Sequence, residues 1–167
     1  MKQLLLARHA KSSWDFPGID DHQRDLNDRG VRDAPRMGAA LSQRGIRPDL
    51  IKSSSATRAR KTAAIIAPAL DVSPGQIEID DSLYLASPSS LLLSIQQLDE
   101  AIATAIFFGH NPGMHGAADQ LARDEEIHSF PTLAVARLEF DCEFWGQVEW
   151  GTGFLVELLT PKTLVDS

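Results

Sequence analysis

Only one cysteine, Cys142, occurs among the 167 residues. That excludes an intrachain disulfide and any zinc site built on several thiolates. No apolar run approaches the roughly 18–20 residues needed to cross a bilayer, so no membrane partner is expected. The amino terminus passes from Met1-Lys2 straight into "QLLLAR". This apolar stretch is too short for a secretory signal and no cleavage site follows; the cytoplasm is the expected location. Positive charge is scarce as well. The 16 Lys and Arg against 23 Asp and Glu leave a net charge of −7, the opposite of the basic face a nucleic-acid partner would require. Repeats, low-complexity tracts and linker-like stretches are absent too. Residues 1–167 therefore read as one domain, long enough to bury about 70% of its unfolded surface.

What is present alternates between two lengths of apolar segment. "QLLLAR" (3–8), "DLIKSS" (49–54), "QIEID" (76–80) and "AIFFG" (105–109) are short and bounded by polar or turn residues, as buried strands are. Helices are expected between them. Residues 28–43 read as a helix capped by Asn27, with Val31, Met37 and Leu41 on its apolar face and Pro35 as a kink or a later start. "ATRARKTAAIIAPAL" is rich in good helix formers and should end or kink near Pro68. "SPSSLLLSIQQL" starts with Ser87 as N-cap and Pro88 at the first helical position. "NPGMHGAADQLA" opens in the same manner with Asn111 and Pro112. Two late segments, "LAVARLEF" (133–140) and "GFLVELLT" (153–160), have the extent of neighbouring antiparallel strands. The loop between them carries Trp145 and Trp150, which serve either a partner surface or the core. Alternating strands and helices followed by two strands indicate an α/β sandwich with a mixed sheet.

The residues with chemistry fall at one predicted edge of that sheet. Arg8 and His9 follow the first strand directly, Arg58 lies in the first turn of the helix after "SSSATR", and His110 follows "AIFFG". Open α/β sheets bind ligands at the carboxyl ends of their strands, and helix N-termini there favour an anion. A guanidinium chelates two phosphate oxygens in fork geometry, which suits Arg8 and Arg58. A neutral imidazole can attack phosphorus and carry the phosphoryl group. Two nearby arginines would lower its pKa and keep its lone pair free. The second histidine can donate to the charge spread over the group in transfer. Neither G-x-x-x-x-G-K-[ST] nor G-x-S-x-G is found.

"ARHAKSSW", "RDLNDRG", "SSATRARKTA" and "FFGHNPG", in this order, resemble the histidine phosphatase superfamily, in particular its SixA-type phosphohistidine phosphatases. The resemblance runs from Lys2 to about Thr160. It implies a three-layer α/β/α sandwich with a mostly parallel mixed sheet, phosphoglycerate mutase-like. It also implies a phosphohistidine enzyme intermediate with no metal or other cofactor. On the matching motifs His9 is the nucleophile, and Arg8, Arg58 and His110 complete the phosphate pocket. Arg24, Lys11 and Ser12 are further candidates for substrate contact.

Two departures from the family pattern matter. The usual "RHG" is "RHA" here, which Ala10 tolerates if its backbone is ordinary. Many members also place a glutamic acid between the positions of Arg58 and His110, where this chain has "DDSLYLASPSS". Asp80 and Asp81 lie somewhat early for that acid and suit a turn before a helix. A leaving alkoxide needs an acid far more than a leaving imidazole does. The missing glutamate therefore directs the expectation to a phosphohistidine on a partner protein. A small phosphorylated substrate cleaved with Asp80 or Asp81 as acid, or a non-catalytic phospho-ligand binder, are the alternatives. His22, in a long loop, borders the pocket or lies on the surface. His115 and His128 have no spacing that would make a metal site with nearby carboxylates.

Overall fold

Leu4, Leu5 and Leu6 are all fully buried, because their strand lies at the middle of a sheet covered on both faces. In the computed structural model, which describes residues 1–164, β1 (Lys2–Arg8) sits between β4 (Thr104–Gly109), parallel to it, and β5 (Val135–Phe140), antiparallel to it. With β2 (Leu50–Ser54), β3 (Glu78–Asp80) and β6 (Phe154–Leu159) the sheet order is β3-β2-β4-β1-β5-β6. β3, β2, β4 and β1 run parallel, and β5 and β6 are antiparallel neighbours, as expected. The last three residues of the chain lie outside the described residues.

The alternation of a strand sends its side chains to opposite faces, and the core divides accordingly. Leu5, Ala7, Ile51, Ile106 and Phe108 pack with α1 (Asp28–Gln43) and α2 (Thr57–Ile66) through Met37, Leu41, Ala63 and Ile66. Leu4, Leu6 and Phe107 pack with α3 (Pro88–Gln96) and α4 (Gly113–Leu121) through Leu91, Ile95, Met114 and Leu121. The result is a three-layer α/β/α sandwich. None of the described helices is long and apolar enough to cross a membrane.

The caps explain where most helices start. Asn27 accepts from the Gly30 N–H at 2.9 Å, and Ser87 accepts from the Ser90 N–H at 3.2 Å, just ahead of Pro88. α1 runs through Pro35 without interruption. α2 stops at Ile66 and a 3-10 turn over Ala67–Leu70 takes in Pro68.

Several expectations need correction. Val31 is 52% exposed; the buried face of α1 is carried by Ala34, Met37 and Leu41 together with glycines. The strand expected over 76–80 is confined to Glu78–Asp80, because Pro74–Gln76 form a 3-10 turn. Asn111 does not cap α4: its Nδ2 donates to the Phe130 carbonyl at 2.7 Å, and Pro112 holds the cap position. Trp145 belongs to the core, 1% exposed, its Nε1–H donating to the Ile102 carbonyl at 2.8 Å.

Candidate active site

β1 and β4 are paired with Arg8 opposite Gly109, so the next residue of each strand, His9 and His110, emerges at the same edge. The His9 N–H donates to the Gly109 carbonyl at 3.0 Å, and the His9 carbonyl accepts from the Leu133 N–H at 3.0 Å. These bonds fix the backbone of His9 between the end of β4 and the approach to β5. The two imidazole centroids are 5.3 Å apart. β2 ends at the same level with Ser54, and α2 then brings in Arg58, 3% exposed. The N–H of Ala10 donates to Thr62 Oγ1 at 3.0 Å, tying the residue after His9 to α2. Ala10 is absent from the positive-φ residues other than glycine, Asp71, Leu85 and Leu133. Its exchange for the family's glycine therefore meets no backbone demand.

The "RDLN" block has a structural task beside the site. The Asn27 N–H donates to the Lys11 carbonyl at 3.0 Å, the Ser13 N–H donates to the Asp25 carbonyl at 2.8 Å, and Ser12 bridges Leu26 in antiparallel fashion. Gly30 completes this tether. A Cβ on it would stand 2.3 Å from the Lys11 carbonyl oxygen, which no side chain tolerates.

Arg8, His9, Lys11, Ser12, Arg24, Arg58 and His110 all line one polar cleft of about 340 Å³. Every site residue expected from the sequence is thus brought together. Trp14, Asp21, Leu85, Asn111 and Thr132 line it as well. Of the remaining histidines, His22 packs edge to face on Tyr84 with its Nε2 2.8 Å from Ser55 Oγ. His115 holds the Ile127 carbonyl at 2.6 Å, and His128 is on the surface beside Glu126. Asp80 accepts from Ser82, and Asp81, 88% exposed, accepts from Ser55 Oγ. Neither lines the cleft. No three or more His, Cys, Asp or Glu side chains among the described residues are grouped to hold a metal ion.

The hydrogen bonds assign the protons. His9 Nδ1 lies 2.7 Å from the Ala10 carbonyl, which can only accept, so Nδ1 carries the hydrogen. Nε2 then keeps its lone pair and accepts from Arg58 Nε at 3.4 Å. Burial above all, and then His110, Arg58 and Arg8, lower the pKa of His9 to about 3. His110 falls to about 4, again chiefly through burial and next through Arg58. The arginines expected to neutralise His9 therefore act in the right direction, but desolvation does most of the work. His110 Nε2 is 2.8 Å from Ser54 Oγ, while its Nδ1, Arg8 Nε and Asn111 Oδ1 are buried with no hydrogen-bond partner among the described residues. Buried polar atoms are rarely left so, and these three belong to cleft residues.

Asp21 is the component that sequence reasoning missed. Arg58 donates to its backbone carbonyl at 2.6 Å and to its Oδ2 at 3.0 Å. Arg24 Nε donates to Oδ1 at 3.1 Å, and the Tyr84 hydroxyl donates to Oδ2. The Tyr84 bond first, and then Arg58 and Arg24, hold this carboxyl well below the usual carboxylate range. Arg24 is itself steered by Ser12 Oγ at 2.6 Å and by the Trp14 ring, whose centroid lies 3.7 Å from the guanidinium carbon. Asp21 lies before the "RDLN" block, and no motif or spacing in the sequence singles it out.

Neutral imidazoles and guanidinium forks around one cleft, at the carboxyl edge of an α/β sheet, are suited to binding and transferring a phosphoryl group. The model of the histidine phosphatase superfamily (branch 1) matches residues 4–84. An uncharacterized protein of Mycobacterium tuberculosis is 32% identical over 167 residues, covering 93% of this chain and 99% of that one. A 2,3-bisphosphoglycerate-dependent phosphoglycerate mutase of a Methylobacterium species is 40% identical over 65 residues, 38% of this chain and 31% of the mutase. Among solved structures, an Agrobacterium tumefaciens protein assigned as a phosphohistidine phosphatase SixA superposes with a TM-score of 0.82 at 29% identity, over 96% of this chain and 98% of that one. The protein histidine phosphatase SixA complexed with tungstate has a TM-score of 0.83 at 21% identity, over 98% and 99% of the two chains. The chain belongs to the histidine phosphatase superfamily, in its SixA-type form.

Proposed function

We propose that this phosphatase hydrolyses phosphohistidine on a partner protein through a covalent intermediate on His9. The observation that carries the reading is the tautomer of His9: a buried, neutral imidazole whose Nε2 lone pair faces Arg58 in the polar cleft. Nε2 attacks phosphorus, the bond from phosphorus to the substrate's imidazole nitrogen breaks, and the electron pair stays on that nitrogen, the ring leaving as neutral imidazole because its other nitrogen already carries a proton. Water then attacks the phosphoryl group on His9. The P–Nε2 bond breaks, the electron pair returns to Nε2, and the water's proton stays with phosphate or passes to solvent. Arg8 and Arg58 meet the charge on the equatorial oxygens, and His110 donates a hydrogen bond to them. No step calls on a metal.

The state of Asp21 supports the choice of leaving group. It is the only carboxylate lining the cleft among the described residues, and Tyr84 with two arginines keeps it ionised. A carboxylate without its proton cannot act as the general acid that a departing alkoxide requires. The leaving imidazole of phosphohistidine needs no such acid. Similarity to phosphohistidine phosphatases of SixA type points the same way.

The test compares wild type with His9→Ala on a histidine-phosphorylated protein and on a sugar phosphate, with chelator present. Wild type is expected to act, faster on phosphohistidine, and the variant to be inert. Greater activity on the sugar phosphate would overturn the substrate assignment. Inert wild type that still binds phosphate would mark a binder.

A further inference from the structure

We propose that the turn Phe16-Pro17-Gly18-Ile19 is a docking element for the phosphorylated partner protein, seating on an apolar strip beside its phosphohistidine while Asp15 and Asp20 face basic residues on that partner. The proposal rests on the phosphohistidine-protein reading above and concerns how that substrate is selected.

Large apolar side chains crowd one mouth of the molecule. Trp14 is 73% exposed, Phe16 68%, Ile19 44% and Leu85 56%. Trp14 and Leu85 line the catalytic cleft itself. Phe16 and Ile19 line an adjoining hollow of about 230 Å³, which shares Arg24 with the cleft. The shared arginine places the turn directly beside the phosphate site. Leu85 adds a second sign of functional placement, since its φ of 51° is a left-handed conformation that a branched side chain seldom adopts. Exposed apolar groups gathered at the rim of a polar site mark contact with something larger than a phosphate.

The turn is built in advance. Proline at its second position presets φ, and Gly18, at φ 92°, supplies the left-handed residue that a type II turn needs at its third. The Ile19 N–H donates back to the Phe16 carbonyl at 3.3 Å. Phe16 and Ile19 therefore stand at the two ends of a closed turn, and ordering them on binding costs little entropy.

Charge decides what fits. Asp15 and Asp20, both exposed, flank the apolar pair. Arg24 is already held by Asp21 and Ser12, so the charge the turn itself presents is that of Asp15 and Asp20, which disfavours a second phosphate, a sugar acid or the acidic turn of another copy of this chain. A protein surface with an apolar centre and basic flanks is complementary on both counts.

The experiment uses Phe16→Ser/Ile19→Ser, two exposed positions outside the catalytic machinery, with thermal melting to confirm the fold. Its substrates are two histidine-phosphorylated carrier proteins and free phosphohistidine. The expected result is a loss of about ten-fold or more in kcat/KM on at least one phosphoprotein, carried by KM, with free phosphohistidine unchanged within about two-fold. Asp15→Asn/Asp20→Asn is expected to flatten the salt dependence of the phosphoprotein rate alone. Equal rates on both proteins for variant and wild type would overturn the proposal, as would equal losses on protein and free phosphohistidine. Wild type inert on every phosphohistidine would instead refute the substrate reading, and the docking proposal with it.

Discussion

Mild acid is expected to destabilise this fold through its two cleft histidines. In an unfolded chain an imidazole titrates near pH 6.5, whereas burial holds His9 at about 3 and His110 at about 4 in the folded protein. Below 6.5 the unfolded state therefore binds more protons than the folded one. Stability falls as the pH drops from 6.5 towards the two folded values, and it is fully restored above 6.5. Between about pH 7 and pH 5 each histidine should cost about 2 kcal/mol, roughly 4 kcal/mol for both, a large part of a typical 5–15 kcal/mol. Because both folded values lie below 5, the loss over this interval depends almost entirely on the unfolded pKa. The depressed Asp21 carboxyl has the same sign, but its contribution is lost only as the pH falls below the ordinary carboxylate range. Urea unfolding followed by the fluorescence of buried Trp145 would measure the effect in wild type, His9→Gln, His110→Gln and the double variant. Each single substitution should remove about half of the pH dependence, whatever it does to stability at pH 7. A double variant that loses as much stability as wild type between these pH values would refute the reasoning.

Gly30→Ala should destabilise by about 1–3 kcal/mol in a denaturant melt and lower activity as well, because its Cβ would collide with the Lys11 carbonyl beside His9. Arg58→Lys keeps the charge but loses the fork that reaches Asp21 and His9 together. Steady-state kinetics should show kcat/KM falling by about a hundred-fold, with little recovery at high substrate. Asp80→Asn and Asp81→Asn should each leave kcat within about two-fold, since both side chains lie outside the cleft. A loss of kcat of a hundred-fold in either would restore a general acid to the mechanism.

The sheet was legible because its strands are short apolar runs cut off by polar residues, and the gathering of the candidate site residues in one cleft was legible because Arg8, Arg58 and His110 stand at or just past the ends of such runs. Helix starts were readable where the cap acts locally, as at Asn27 and Ser87. Asn111 looked the same in sequence, but a partner nineteen residues ahead, the Phe130 carbonyl, claims its amide. Val31 shows a similar limit, because an apolar residue on a helix reports the buried face only when its neighbours agree. Asp21 was illegible for a different reason. Its contact with Arg58, thirty-seven residues away, depends on the path of an irregular loop, and no periodicity encodes that path. The importance of burial over charge in neutralising His9 likewise follows from its enclosure in the fold, 5% exposed, which only the assembled layers produce.

The carboxylate of Asp21 also bears on turnover. Any anion that comes to Arg58 must take the Nη2 donor from a partner already in place or share it. That partner is tethered, so it competes at an effective concentration of the order of millimolar or higher and never diffuses away. If Arg58 holds the phosphate as proposed, resting affinity for a phosphate group is reduced by the cost of this exchange, for the product as much as for the substrate. On that reading Asp21 acts as a weak competitive inhibitor built into the chain. The benefit would be release: inorganic phosphate would leave a cleft whose guanidinium has another anion waiting, and binding energy would be kept for the moment when charge on the transferring group is greatest.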